Sequence, residues 1–329
     1  MSDNKVTYLE AISQAIREEM RRDDAVFLLG EDGDDSGGAL RMSARLLAEF
    51  GAERVIDTPM SEAAVIGSAV GAALMGMRPV AEMNLIDFIS CGFDQIIDMA
   101  SKMYWRIDMP VPLVIRGASG GGMKESVLRT ISPEAWLFHM PGVKVVTPST
   151  VYDAKGMLKA AIRDDEPVLY LEHKLLYRMS DLREELPGED YTVPLGKAII
   201  RREGDDMTIL TYGALVHQSL KAAQVLEEDD DIAAEVLDLR SLSPLDRDAI
   251  LESVKRTNKA LIVHENTFTG GIGSMLSALL TEGLFEYLEG PITQVATSDV
   301  FSPYASLLNE AYGSNAEIIL AAARELAAY

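Results

Sequence analysis

The chain has 329 residues, 48% of them hydrophobic, with 52 acidic against 30 basic side chains and a formal net charge of −22. That length has room for more than one domain, and the acidic surplus repels phosphate backbones, which excludes nucleic acid as a partner. The sequence has no run of about 18 apolar residues to span a membrane and no signal-peptide pattern, and its single cysteine permits no internal disulfide, all in keeping with a reducing cytoplasm.

The first segment, "MSDNKVTYLEAISQAIREEMRRDD", is amphipathic and acidic. Short, continuous apolar runs then recur: "AVFLLGED" (25–32), "RVIDTPM" (54–60), "RPVAEMN" (78–84), "VPLVIRGA" (111–118), "VKVVTPS" (143–149) and "PVLYLEH" (167–173). Continuous rather than alternating runs are expected of parallel strands covered on both faces. Helical patterns lie between several of them, for example "VYDAKGMLKAAIRD" (151–164), so the alternation predicts a doubly wound α/β domain. The charged stretch "MSDLREELPGEDYTVPLGKA" (179–198), with two prolines and two glycines, reads as a connection between domains. Beyond it the alternation resumes with "DMTILTYG" (206–213), "AAEVLDLRSLSPLD" (233–246), "KALIVHEN" (259–266) and "PITQVATSD" (291–299). The boundaries expected are 1–180, a linker over 181–197, and 198–329.

"DTPMSEAAVIGSAVGAALMG" (57–76) joins a polar turn to a helix of small and apolar residues interrupted by Gly67, Gly71 and Gly76. A glycine costs about 1 kcal/mol against alanine in a helix interior, so three of them imply close approach of another backbone. That neighbour is either internal or a second chain. Glu62 opens the helix. A first-turn acid is favoured by the helix dipole, but a carboxylate drawn into apolar surroundings also gains proton-sharing chemistry. Two glycine-rich stretches, "RGASGGGMKES" (116–126) and "TFTGGIGSML" (267–276), lack the order of residues that cradles phosphates; the second reads as a tight structural turn. The four histidines and Cys91 make no zinc-type spacing.

"RVIDTPMSEAAVIGSAVGAALMGMRPVAEMNLIDFISCGFDQI", "PGVKVVTPSTVYDAKGMLKAAIRDDEPVLYLEHKLLYR" (141–178), "LDLRSLSPLD" (237–246) and "VHENTFTGGIGS" (263–274) together resemble the beta subunits of thiamine-diphosphate-dependent 2-oxo acid dehydrogenases, the pyruvate, branched-chain and acetoin types. The resemblance covers nearly the whole chain in order. It implies a transketolase-type pyrimidine-binding domain followed by a transketolase C-terminal-like domain used for association. It also implies a heterotetramer (α₂β₂) in which the glycine helix lies at a subunit interface. The alpha subunit then supplies the magnesium and diphosphate site; "EDGDDSGG" (31–38) only superficially matches that motif, since no Asn follows before Asn84. Glu62 matches the glutamate that hydrogen-bonds N1′ of the aminopyrimidine. Phe88 matches the aromatic that stacks on that ring, and Met60 and Asn84 fall at neighbouring cofactor positions. Leu113, Ala161, Ile162, Asp164 and Glu166 match a potassium site built mostly of backbone carbonyls with one carboxylate, a hard-cation set.

One departure stands out. Relatives carry H-S-Q-S before the segment matching "PEAWLFHMPG" (133–142), where this chain has Arg129, Thr130, Ile131 and Ser132. The family histidine is associated with acyl transfer to lipoamide. Arginine cannot shuttle a proton near neutrality, though it can bind an anionic substrate group; a shifted alignment, with Lys124 or another residue serving, is the alternative. The resemblance therefore implies oxidative decarboxylation of a small-molecule 2-oxo acid, or acetoin cleavage, with acyl transfer to the lipoamide of a dihydrolipoyl acyltransferase. A carboligase or transketolase-like subunit with a non-lipoyl acceptor is the second reading, and a noncatalytic scaffold the third. Glu62 and Phe88 argue against the scaffold.

Overall fold

The computed structural model describes residues 5–30, 41–83, 86–120, 132–188, 190–300 and 315–329, with the backbone alone for 41–44. The chain divides into two compact units, one from the described residues of Met1–Ser119 and Trp136–Leu195, the other from those of Gly120–Ala135 and Gly196–Tyr329.

In the first unit β1 (Val6–Thr7) leads directly into α1 (Tyr8–Arg22). Thr7 and Glu10 form a reciprocal capping box, which satisfies two of the helix's unpaired N–H groups. The buried residues of α1, Tyr8, Ala11, Ile12, Ala15, Ile16, Glu19 and Met20, recur at three- and four-residue spacing and make the core-facing stripe. The elements that follow are β2 (Val26–Gly30), α2 (Arg41–Phe50), β3 (Val55–Asp57), α3 (Glu62–Leu74) and β4 (Arg78–Met83). A 3₁₀ turn (Ile86–Gly92), a π-helical turn (Gln95–Ala100), α4 (Met103–Ile107), β5 (Val114–Ser119), α5 (Glu134–Leu137) and β6 (Lys144–Val146) come next. Then come α6 (Val151–Arg163), β7 (Val168–His173), α7 (Lys174–Arg178) and β8 (Arg183–Glu184). Strands β6-β7-β5-β4-β2-β3 lie side by side in that order and every pair among them is parallel. Each predicted run of the first half contains one of these strands. Residues such as Val80, Ala81, Val114, Ile115, Val168 and Leu169 are almost wholly buried, as expected of strands with helices on both faces.

The predicted linker is more structured than its charge suggested. β8 pairs antiparallel with β1, Tyr191 stacks on Tyr152 with centroids 4.6 Å apart, and the Val193 N–H donates to the Gly156 carbonyl at 3.0 Å. A Cβ on Gly156 would stand 2.5 Å from Val193 Cγ2, so that glycine admits the returning chain. The aromatic and β-branched residues of "YTV" supply packing that the neighbouring charges mask in the sequence.

The second unit contains β9 (Ile199–Arg202), β10 (Met207–Thr211), α8 (Leu215–Asp230), β11 (Ala234–Asp238), β12 (Ser241–Ser243), α9 (Arg247–Thr257), β13 (Ala260–Thr267), α10 (Ile272–Leu284), β14 (Thr293–Thr297) and α11 (Ala316–Ala327). Its five-stranded sheet runs β14-β13-β10-β11-β9, parallel except for β9, which lies antiparallel on β11. β9 is an edge strand with half-exposed residues, so it lacks the apolar run that betrays the others. Leu226, Val236, Leu261, Val263, Ile319 and Leu326 belong to one core cluster beneath the helices.

Candidate active site

The Ile86–Gly92 turn that follows β4 lies against the carboxyl ends of β4 and β5 at Met83 and Gly117, and against the start of α3 at Glu62. In doubly wound sheets this end of the strands is where ligands bind. α3 begins without a side-chain cap, because Ser61 makes no capping hydrogen bond. Glu62 is the first residue of the helix, where an acid complements the dipole. It is half-buried, and among the described residues its carboxylate makes no hydrogen bond or ion pair. The first-turn acid is therefore not consumed by the fold.

The turn Ile86–Gly92 packs on this end of α3. A Cβ on Gly92 would stand 2.5 Å from Ile66 Cδ1 and 3.2 Å from the Glu62 carbonyl oxygen, so glycine is what lets the turn lie so close. At its other end the turn is seated by Gly117, where a Cβ would be 2.9 Å from Ile86 Cδ1 and 3.0 Å from the Met83 carbonyl oxygen. Phe88 stands on this turn with 38% of its surface open, and Met60, just before α3, is 85% exposed. Gly67 serves an internal approach: a Cβ there would be 2.9 Å from Gln95 Oε1 on the π-helical turn. Gly71 and Gly76 meet nothing within 4 Å among the described residues.

Behind the turn lies a cluster of buried charge that sequence reasoning missed. Arg116 on β5 is paired with Glu172 on β7 through two bonds, Nε to Oε1 at 2.6 Å and Nη2 to Oε2 at 2.8 Å. Its Nη1 also lies 2.8 Å from Glu82 Oε2 on β4, close enough for an ion pair although not aligned as a hydrogen bond. Tyr177 donates a very short bond to Glu172. Burial opposes charge on Arg116, but Glu172 and then Glu82 outweigh it and raise its pKa. Burial, reinforced by Glu172, drives the Tyr177 pKa upward too, so its hydroxyl stays a donor. Next to this cluster, Lys174 Nζ lies 3.5 Å from Asp87 Oδ2, each side chain only 2% exposed. The sequence did hold a signal: "RPVAEMN", "VPLVIRGA" and "PVLYLEH" each carry a charge near the end of a buried run, and a charge so placed requires a partner.

The five residues matched to a potassium site lie together around the α6–β7 connection and the start of β5. Leu113, Ala161 and Ile162 are buried. The Leu113 carbonyl accepts from the Val168 N–H at 2.8 Å and that of Ala161 from the Asp164 N–H at 3.2 Å. Arg78 Nη1 donates to the carbonyls of Ile162 at 3.1 Å and Asp164 at 2.9 Å. The carboxylates are taken by Lys144, whose Nζ lies 2.8 and 2.7 Å from the two Asp164 oxygens and 2.8 Å from Glu166. Burial lowers the Lys144 pKa, but Asp164 and Glu166 more than reverse it. The carbonyls of Ile162 and Asp164 thus already face the Arg78 guanidinium, and a cation could use only the second lone pair of each oxygen. Among the described residues no cluster of three or more His, Cys, Asp or Glu side chains is placed to hold a metal.

Asn84 and Arg129 lie outside the described residues, as do Lys124, Thr130, Ile131 and the "EDGDDSGG" stretch. In the second unit, Tyr212 donates to Glu134 at 2.7 Å and Asn266 Nδ2 to the Ser132 carbonyl at 2.8 Å. Burial raises the Glu134 pKa and Glu265 adds to the effect, while the Tyr212 bond opposes it. The "TGGIG" stretch forms a turn into α10, with Gly270 at φ +74° and a Cβ on Gly271 or Gly273 placed 2.7 Å from His264 ring atoms.

The described residues suit a flat heteroaromatic cofactor. An unpaired, half-buried carboxyl offers a hydrogen bond to a ring nitrogen, and the open face of Phe88, on the turn packed against the same helix, offers stacking. Residues 4–180, more than half of the chain, match the family described as Transketolase, pyrimidine binding domain, and residues 196–319 match Transketolase, C-terminal domain. The chain is 45% identical over 327 residues to the 2-oxoisovalerate dehydrogenase subunit beta of Bacillus subtilis (strain 168), covering 98% of this chain and 99% of the relative. It is 43% identical over 303 residues to the pyruvate dehydrogenase E1 component subunit beta of the same organism, covering 92% of each. Its fold is also that of a solved structure described as a split gene transketolase, inactive beta4 tetramer, with TM-score 0.79, 23% identity and 98% of each chain covered. With that likeness carried along nearly its whole length, the chain belongs to the family of thiamine-diphosphate-dependent 2-oxo acid dehydrogenase beta subunits, built on the transketolase fold.

Proposed function

We propose that this chain is the beta half of the decarboxylating component of a 2-oxo acid dehydrogenase, and that it completes a thiamine diphosphate site with an alpha subunit in a heterotetramer. The observation that carries the reading is Glu62, unpaired among the described residues at the start of α3 with the Phe88 turn packed on it by Gly92. Bound thiamine diphosphate supplies the electron sink that accepts the pair left by departing carbon dioxide. The work of this chain is to hold it. Glu62 keeps a proton at N1′ of the aminopyrimidine, Phe88 covers one face of that ring, and Met60 and Asn84 border it. Magnesium and the diphosphate belong to the alpha subunit. Leu113, Ala161, Ile162, Asp164 and Glu166 would hold a potassium ion, mostly through backbone carbonyls with one carboxylate.

The test is reconstitution. The chain alone should show no thiamine-diphosphate-dependent turnover of pyruvate or branched 2-oxo acids, and addition of the alpha subunit should restore it. Full activity from this chain alone overturns the half-enzyme reading. A second reading rests on Arg129 in place of the family histidine: the acyl group goes to an acceptor other than lipoamide, with Arg129 binding an anionic group. Supplying a lipoyl domain separates the two. Its reductive acylation supports the dehydrogenase, whereas turnover without acylation supports the carboligase.

A further inference from the structure

We propose that the Lys144 ammonium is a tethered stand-in for potassium: it supplies positive charge at the α6–β7 turn, and a potassium ion gains that turn by displacing it. This rests on the match of Leu113, Ala161, Ile162, Asp164 and Glu166 to a potassium site made above. It starts from what their oxygens meet. Arg78, from β4, donates Nη1 to the carbonyls of Ile162 and Asp164. Lys144, from β6, places Nζ 2.8 and 2.7 Å from the two Asp164 carboxylate oxygens and 2.8 Å from Glu166 Oε2. A lysine ammonium has three protons to donate, and here three carboxylate oxygens lie within its reach. Like an alkali cation, it is a compact point charge suited to oxygen partners.

The sheet sets where this ammonium stands. Lys144 opens β6, lies in register with Val168 on β7, and donates its backbone N–H to the Pro167 carbonyl at 2.9 Å, so its stem starts beside the turn. The Lys144 and Asp164 side chains are 23% and 20% exposed, so the pair is partly withdrawn from water. Burial opposes charge on Lys144, but Asp164 and Glu166 more than reverse that and keep it protonated. The other groups at the turn do not duplicate it. The Glu166 N–H donates to Asp164 Oδ1 at 3.0 Å but carries no charge. Arg78 is engaged by the two carbonyls and by Asp165, 2.6 Å from its Nη2, with Asp23 3.9 Å from its Nε. Without the ammonium, Asp164 and Glu166 stay at the turn with one positive charge fewer. An alkali cation, which needs oxygens and brings no protons, then supplies that charge at the same carboxylates and at the second lone pairs of the neighbouring carbonyls.

The test is the melting temperature of the full chain in potassium, sodium and choline chloride at equal ionic strength, so that screening is the same in all three. A cation bound only by the folded chain raises its stability with concentration. Lys144→Met should melt higher in potassium than in sodium or choline, with half of the rise reached below about 10 mM. The parent should need at least about tenfold more potassium for the same rise, or show none up to about 100 mM. Lys144→Met and parent responding to potassium at the same concentration overturns the proposal while leaving the potassium match standing. A Lys144→Met chain whose melting temperature is the same in all three salts overturns the proposal and the potassium match together, since the lysine is then an ordinary ion pair. A Lys144→Met chain that folds in potassium but not in choline meets the prediction. Should it fold in neither, Lys144→Gln, which keeps a donor toward Asp164 and removes the charge, is judged by the same outcomes.

Discussion

At the scale of single residues, the proposed site depends on a side chain that the described residues leave unpaired. Glu62 gains a modest dipole benefit at the start of α3, about 0.3–1 kcal/mol at an exposed site, and makes no bond among the described residues. Its removal should therefore separate stability from function. Glu62→Gln is expected to lower the thermal stability of the isolated chain by no more than about 1 kcal/mol. In the assembled enzyme it should cut turnover by roughly 100-fold or more, the scale of a lost proton-transfer partner. Steady-state kinetics set beside a thermal melt checks both halves, and unchanged turnover would remove Glu62 from the chemistry. His264 is the opposite kind of residue, consumed by packing. It is fully buried on β13, beneath Gly271 and Gly273, and burial depresses its pKa from 6.5 to about 4. Because the folded value lies below the unfolded one, the folded state binds fewer protons between those two pH values. The stabilising preference for the neutral ring is thus present above about pH 6.5 and lost as pH falls toward 4. The loss is on the order of 3 kcal/mol over that window. Denaturation midpoints taken at pH 7 and pH 4.5 should show it, and His264→Asn should flatten the slope.

At the scale of elements, the parallel strands β4, β5 and β7 are joined by charge as well as by their ladders. Arg116 is 1% exposed and faces Glu172 and Glu82 from neighbouring strands. Such a cluster is weak evidence for net stability, because an apolar substitute for the whole set can do as well. Breaking it from one side is another matter, since two acids are then left in the interior. Arg116→Met should cost about 3–5 kcal/mol in urea unfolding, and the triple change Arg116→Met, Glu82→Leu, Glu172→Leu should recover a good part of that loss. A small effect of Arg116→Met alone would mean that water reaches the cluster. The same strand ends support the Phe88 turn, so the energetics of the sheet and the shape of the site share residues.

At the scale of the whole molecule, α3 presents a smooth exposed face. The helix is apolar nearly all round, yet Ala64, Ser68, Gly71 and Met75, spaced three or four residues apart, are exposed. Gly71 has no neighbour within 4 Å among the described residues, so nothing described within the chain accounts for the glycine, and alanine there would favour the helix by about 1 kcal/mol. A helix kept smooth in this way suits the close approach of another subunit. Gly71→Leu is expected to leave the isolated chain as stable as before while preventing its association, read by sedimentation velocity with and without the alpha subunit. Association of the variant at parental affinity would place the interface elsewhere. Among the described residues no helix is long and apolar enough to cross a membrane.

The sequence by itself pointed to the parallel strands, because continuous runs such as "VPLVIRGA" and "PVLYLEH" are expected of strands covered on both faces, and to the family, because its motifs recur in order along the chain. It also singled out Glu62, an acid at the head of an apolar helix. It did not reveal β9, whose half-exposed edge residues carry no apolar run, nor the packing of the connection around Tyr191 and Val193. Whether Gly67 meets a neighbour inside the chain was open until Gln95 was found against it. The pairing of Arg116 with Glu172 and of Lys174 with Asp87 was likewise decided only by the tertiary structure. Those partners are 56 and 87 residues apart in the chain. Periodicity reports which side chains are buried, whereas what a buried charge meets depends on which strands lie side by side, and that order is fixed by the crossovers.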